Sequence, residues 1–363
     1  MHVLKQLVKL VLQTMVVTLT ATSTIFFGLI ISLIFAAAVI SVAVSGASDA
    51  EFSGDERAYS FVAGQRDADT TFVSIPVRGV ILGEPAETEQ FLGSFLSEGV
   101  VYGYEIKEEL YDLARDDDVA GVILELNSPG GTIYGSQAIA DGVAYYTETT
   151  GKPVHAFISS TAASGGYWVA ASADTITADM GTSIGSIGVI MGPFKYYNGV
   201  IGEDGGAFVG GVETSGGVET EYITAGAYKD IGNPYRQMSE EERVVLQQGV
   251  DNAYTQFVQY IASQRQLEPA VITGQIGALV YDEIQAEELG LIDSRGSKQA
   301  AYTLLAQSVG IEEYQIVTSD RGGVFDTLFS EVRARFPQQR AAGCLFSRNT
   351  ILAYHGSPNS LCW

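Results

Sequence analysis

Ser164 opens a glycine turn, Ala163-Ser164-Gly165-Gly166-Tyr167, directly after an apolar run. Two other runs end in comparable turns, Asn127-Ser128-Pro129-Gly130-Gly131 and Gly185-Ser186-Ile187-Gly188. In an open parallel sheet, ligands bind at the carboxyl ends of the strands. Turns placed there can aim backbone N–H groups at a developing negative charge, and glycine lets the backbone approach closely. The pattern suits an oxyanion site with Ser164 as nucleophile and Gly131 and Gly165 among the flanking turn residues. The plain alternative is a set of tight turns in which Ser164 merely caps a helix.

A serine nucleophile needs a base within hydrogen-bond reach. The three histidines are His2, His155 and His355. His155 lies nine residues before Ser164, inside the strand entering the turn, and reads as a strand histidine rather than a base. A lysine can serve if burial favours its neutral form. Only seven lysines are present. Lys5 and Lys9 flank an apolar segment, Lys107 sits in an acidic helix and Lys152 precedes Pro153. Lys195, Lys229 and Lys298 remain. Spacing favours Lys229, in Ala225-Gly226-Ala227-Tyr228-Lys229-Asp230, without deciding for it.

Composition narrows the chemistry further. Across 363 residues, 43 acidic side chains face 20 basic ones, a formal charge of −23. No basic footprint exists for phosphates, so no nucleic-acid partner is expected. Both cysteines, Cys344 and Cys362, fall at the end of the chain, which excludes a disulfide scaffold and a Cys-based zinc site. Whether these two pair is left open. With three scattered histidines and no HExxH, neither a metal nor a cofactor is expected.

The elements that must position these residues follow from periodicity. Residues 24–44 are apolar enough to cross a bilayer as one helix of about 20 residues, with lysines before and acids after placing the N-terminus in the cytoplasm. A signal-peptide core runs only ~7–15 residues, so a retained anchor is favoured over a cleaved leader, and the body is expected outside the cytoplasm at the cell membrane. Residues 1–46 then form the cytoplasmic N-terminus and anchor, and 47–70 read as a polar linker. TFVSIPVRGVIL starts the body at Thr71 as a first strand. Helical spacing is found over 104–115 and 135–147; buried parallel strands are expected at 119–127 and 152–160, and shorter strands at 174–179, 185–190 and LID (291–293). Residues 198–220 are Gly-rich and read as a loop or weak hairpin. A long helix is predicted over 239–265 with a Ser239/Glu242 capping box. Further helices are expected at 282–290, 297–309 and 325–336, so 311–336 reads as a strand and helix, and 337–363 as an aperiodic tail for which disorder is one of two open readings. The alternation predicts an α/β body with a mainly parallel sheet.

Five segments, LELNSPGG (124–131), STAASGGYWVA (160–170), GTSIGSIGVI (181–190), GAYKDIGNPYRQMSEEER (226–243) and VYDEIQAEELGLID (280–293), occur in one order. Together they resemble the S49 serine peptidases of the signal peptide peptidase A type, in their short, single-copy form. The resemblance covers roughly 70–310, within a domain taken as 71–310. It implies a ClpP/crotonase-like α/β fold and a Ser/Lys dyad, with Ser164 as nucleophile, Lys229 as general base, Gly131 as an oxyanion donor and Ser186 as a hydrogen-bond partner of the lysine. It implies a membrane-anchored endopeptidase acting on peptides such as cleaved signal peptides. It also implies a homo-oligomer, because the long forms divide Lys and Ser between two halves. Two departures are visible: the stretch before Lys229 is about a dozen residues longer than in short bacterial forms, and Tyr167-Trp168 stands where Tyr-Tyr is usual. The rival expectations are an acyl-CoA hydratase or isomerase of the same fold and a non-catalytic membrane scaffold.

Overall fold

The computed structural model describes residues 59–84, 99–194, 225, 227–234 and 236–319, together with the backbone of 351–354. The anchor at 24–44, the 198–220 segment, the helix at 325–336, Lys195 and both cysteines lie outside the described residues. Among the described residues no helix is long and apolar enough to cross a membrane.

The main sheet contains β1 (Tyr59–Gly64), β2 (Thr71–Arg78), β5 (Val119–Ser128), β7 (Val154–Ala163), β8 (Thr175–Ala178), β12 (Ser294–Arg295) and β13 (Gln315–Ser319), in the order β1-β13-β2-β5-β7-β8-β12. All neighbours along it are parallel except β1 and β13. The expected α/β body with a mainly parallel sheet is therefore observed. β9 (Ser183–Gly185) continues beside the end of β7, and β11 (Val280–Tyr281) pairs antiparallel with β9. Alternating residues serve two faces. Val73, Val122 and Ala156 join α1 (Gly103–Leu113), α2 (Ile133–Thr150), α3 (Gly165–Ala170) and α4 (Glu240–Arg265) in one core. Phe72, Ile123 and Phe157 pack in the second core with α6 (Lys298–Ser308). Between α4 and α6 comes the short α5 (Glu283–Glu288).

A second sheet carries the order β10-β14-β6-β3-β4, formed by β10 (Ile190–Met191), β14 (Ile351–Tyr354), β6 (Gly130–Thr132), β3 (Val80–Leu82) and β4 (Val100–Tyr102). It corrects the reading of TFVSIPVRGVIL as one strand. Gly79 adopts φ +84°, and a Cβ there would meet the Gly99 carbonyl oxygen at 2.0 Å. The chain turns at that point and hands VIL to the second sheet.

Other readings are corrected as well. Tyr59–Gly64, inside the segment read as linker, is a strand because its partner β13 lies some 250 residues downstream, beyond any local signal. The single strand expected at 185–190 is two short strands, β9 and β10, separated by the turn at Ser186–Val189, where Ser186 takes a positive φ. The short strand expected at LID falls instead on Ser294–Arg295. The tail is not devoid of structure, since Ile351–Tyr354 forms β14. The α4 capping box is present on both sides: Ser239 Oγ accepts from Glu242 N at 3.2 Å, and Glu242 Oε2 accepts from Ser239 N at 2.8 Å.

Candidate active site

Ser164 follows β7 and precedes α3, at a backbone conformation of φ 55°, ψ −118°. A left-handed φ on a residue with a Cβ costs on the order of 1–3 kcal/mol and persists only when its surroundings enforce it. Here they do. Ser164 N donates to Gly185 O at 2.7 Å, and Trp168 N donates to Ser164 O at 2.9 Å. Although it stands at the N-cap position, its side chain makes no capping hydrogen bond. Instead Oγ donates to Gly188 O at 3.2 Å. The helix-cap explanation of Ser164 fails on this geometry. The residue is only 1% exposed in the isolated chain.

Ser186 comes next to Ser164 through the same pairing, since Gly185 lies opposite Ala163 in the β9–β7 ladder. Its own φ is 53°, and its N–H donates to Leu279 O at 2.6 Å. The SPGG turn is braced by one hydroxyl: Ser128 Oγ donates to Gly79 O at 2.6 Å and accepts from Gly130 N at 3.1 Å. Gly131 is pressed against β3, where a Cβ would lie 1.9 Å from Ile81 O. No larger residue fits that strand crossing. α3, which begins at Gly165, packs against β5 and β6, so Ser164, Gly165, Gly131 and Ser186 belong to one neighbourhood built by three strand ends.

α3 is fixed from below. Tyr167 OH donates to Leu291 O at 2.8 Å within the core. Trp168 stacks on Tyr260 (centroids 4.8 Å apart, 15° between planes) and lies 4.7 Å from Phe257, both on α4. The departure at Trp168 thus fills an aromatic layer between the serine helix and the long helix.

Lys229 occupies a different place. It is exposed, on the turn before α4, and makes no hydrogen bond or ion pair among the described residues. The other described lysines are engaged: Lys107 with Asp141 at 3.1 Å, Lys152 with the carbonyls of Asp116 and Asp117, and Lys298 with Glu125 at 2.5 Å. His155 is also accounted for. Its Nε2 is 2.9 Å from Thr177 Oγ1, and burial pushes its pKa down to about 4, against a smaller opposing effect of Asp293. Nine residues of fully extended strand would span at most about 30 Å, and the irregular register between Ile158 and Ala162 shortens that path to Ser164.

Two features had no clear sequence signal. β14 lies between β6 and β10, antiparallel to both, with Ala353 opposite Gly131. An extended segment can therefore occupy the strand position beside Gly131. A cavity of about 490 Å³ also opens at the end of β10, lined by Met191, Phe194, Arg236, Met238, Leu246 and Val250 among others. Ser164 is not among its lining residues.

A strained, buried serine thus stands at a strand-to-helix turn with glycine turns around it. Residues 147–312 match Peptidase family S49. Among curated proteins, one from Methanocaldococcus jannaschii, provisionally named a protease, is 35% identical over 57% of this chain and 62% of its own length. One from Enterococcus faecium, provisionally named signal peptide peptidase SppA, is 34% identical over 58% of this chain and 57% of its own. The chain thus spans less than two thirds of the length of these relatives. Among solved structures, a ClpP1 variant from Listeria monocytogenes aligns with 63% of this chain and 93% of its own, at 11% identity and a TM-score of 0.38.

Proposed function

We propose that this protein is a serine endopeptidase of the ClpP/crotonase-like fold that uses a Ser164/Lys229 dyad, is anchored in the cell membrane by residues 24–44 and cleaves membrane-associated peptides such as released signal peptides. The observation that carries the reading is the conformation of Ser164: buried, strained, with no capping role and surrounded by three strand-end turns. Strain of this kind clusters at functional sites. The S49 match and the protease-named relatives supply the reaction class.

In the proposed reaction Ser164 Oγ attacks the scissile carbonyl carbon while Lys229 Nζ, as the neutral amine, takes the hydroxyl proton. The C–O bond forms, the carbonyl π electrons move onto oxygen, and the backbone N–H of Gly131 stabilises the oxyanion, with Gly165 at the opposite turn. Collapse breaks the C–N bond, and Lys229 returns the proton to the leaving amine. Water then attacks the acyl-enzyme by the same path. Ser186 would hold the amine toward Ser164. The peptide would lie extended beside β6, in the strand position that β14 occupies, with backbone pairing giving affinity.

Lys229 is placed in the site by a second copy of the chain. Trp168, four residues after Ser164, packs on Phe257 of α4. Glu242, which holds the Lys229 turn through Arg236, lies fifteen residues earlier on that helix. At 1.5 Å per residue this is about 22 Å of helix. That separation, with the exposure of Lys229, supports a dyad completed across a subunit boundary.

The test is a fluorophosphonate probe together with a panel of signal-like peptides. Labelling that disappears in Ser164→Ala, with hydrolysis of the peptides by the intact protein, is expected. Labelling unchanged in Ser164→Ala would refute the assignment.

A further inference from the structure

We propose that Arg236 is a positioning residue for the general base, clamping the Lys229 turn onto α4 and neutralising the carboxylate of Asp230, the next residue in the chain. The inference rests on the reading of Lys229 as base and adds a residue that the reading does not assign.

Among the described residues Lys229 makes no hydrogen bond or ion pair of its own, so its neighbours must hold it. Asp230, the next residue, accepts from Arg236 Nε at 2.9 Å and from Nη2 at 2.7 Å. The same guanidinium donates from Nη1 and Nη2 to the two oxygens of Glu242, at 2.8 and 2.6 Å, and from Nη1 to Gln237 O at 3.1 Å. All five N–H donors of an arginine are thus engaged, three of the five being spent on groups other than Asp230. Glu242 is only 2% exposed and is the N3 residue of the capping box, so it is rigidly part of α4. The turn itself is held by Ile231 N to Tyr228 O at 3.1 Å and Asn233 N to Asp230 O at 3.0 Å, with Tyr228 at φ 65°. Two forks of one planar group therefore join a strained loop to a 26-residue helix. A lysine ammonium cannot span both carboxylates in this way.

The helix does not need this arrangement for itself. Ser239 and Glu242 complete the capping box without Arg236. What the guanidinium adds is the attachment of Asp230, and hence of Lys229. It also sets the local charge. The charged groups of the turn, of Arg236 and of the start of α4 are Lys229, Asp230, Arg236, Glu240, Glu241, Glu242 and Arg243, of which Asp230 and Glu242 share the guanidinium. Hydrogen bonds from Arg236, then from Asn233, hold the Asp230 carboxyl well below the usual carboxylate range. Without the guanidinium, the carboxylates of Asp230, next in sequence to Lys229, and of Glu242 would remain close together and uncompensated. They would repel each other and favour the charged form of the amine, which is not the base.

The experiment measures kcat, KM and the pH dependence of kcat on a fluorogenic peptide for the full-length protein, with thermal melting as a folding check. Arg236→Gln should lower kcat about 10- to 100-fold with little change in KM, in line with the cost of misplacing a catalytic group. It should also move the midpoint of the rate profile to higher pH. Adding Asp230→Asn should return that midpoint toward wild type while kcat stays low. Wild-type kcat and midpoint in Arg236→Gln would overturn the inference, as would a kcat loss with no midpoint shift. Should Arg236→Gln not fold, Arg236→Lys carries the test: it keeps the charge and loses the forks, so low kcat at an unmoved midpoint supports the clamp and wild-type kcat overturns it. Lys229→Ala is measured alongside. If that variant keeps its activity, the base assignment itself has failed, which is a different result from normal turnover in Arg236→Gln.

Discussion

The two halves of the proposed dyad are built in opposite ways. Ser164 is enclosed by the chain that carries it, its N–H and hydroxyl donating to the Gly185–Gly188 turn and its carbonyl accepting from Trp168 N of α3. Lys229 is exposed, with no partner for its amine among the described residues, and the next residue, Asp230, is tied by one fork of Arg236 whose other fork holds Glu242 of α4. A nucleophile must be held in a fixed attack geometry, which strain and burial supply. A base that is delivered to another subunit must instead be exposed on its own chain and rigid at its root. On the proposed reading, one chain supplies a finished serine side and leaves the lysine side for a neighbouring copy to complete.

The comparison breaks most directly at Lys229. Lys229→Ala should lower kcat/KM by about 10²–10⁴-fold, the usual worth of a positioned acid–base group. Lys229→Arg should do little better, because a guanidinium keeps its proton at working pH and cannot act as base. Fluorogenic peptide hydrolysis measures both. Arg at full activity would remove the base from the mechanism and leave the exposed lysine without a role.

Subunit mixing sharpens the same contrast. Ser164→Ala chains retain a good lysine, and Lys229→Ala chains retain a good serine. If each site takes its two residues from different chains, an equimolar co-assembly should recover about one quarter of wild-type activity, since each partner is intact half the time in a heterologous ring. The measurement is activity after dissociation and reassembly, with subunit exchange followed by tagged chains. No recovery under proven exchange would put the dyad within one chain.

Much of this was legible in the sequence because the signals are local. β5 and β7 announce themselves as apolar runs, and the Ser239/Glu242 box marks the start of α4 within one turn. Ser164 was identifiable as a strand-to-helix residue, but the choice between cap and nucleophile needed its φ and the direction of its hydroxyl. β1 and β14 were not legible, since each is stabilised by a partner far away in the chain: β1 by β13, and β14 by β6 and β10. The Arg236 clamp lay in plain view in the motif GAYKDIGNPYRQMSEEER, yet spacing alone does not say that one guanidinium faces two carboxylates. Context likewise assigns His155: only its bond to Thr177 and its burial in β7 separate a structural imidazole from a base.

That histidine provides the smallest expected effect and a control for the rest. Burial holds its pKa at about 4 in the folded chain, against roughly 6.5 when unfolded. Between these values the unfolded state binds more protons, so stability rises with pH there. The contribution is fully present above about pH 6.5, falls as pH drops toward 4 and changes no further below it. At pH 4.5 the loss relative to pH 7.5 should be about 2–3 kcal/mol from this residue. His155→Gln, which keeps a polar partner for Thr177 and cannot take up the proton, should show a flatter dependence of the urea midpoint over that window. Its peptide hydrolysis at pH 7.5 should match wild type, because the strand places position 155 far from Ser164. A slope as steep as wild type in His155→Gln would assign the acid sensitivity to other groups, Asp293 first among them through its bond to Arg265. A loss of turnover at unchanged stability would bring the imidazole back as a base and undo the division between an enclosed serine and a presented lysine.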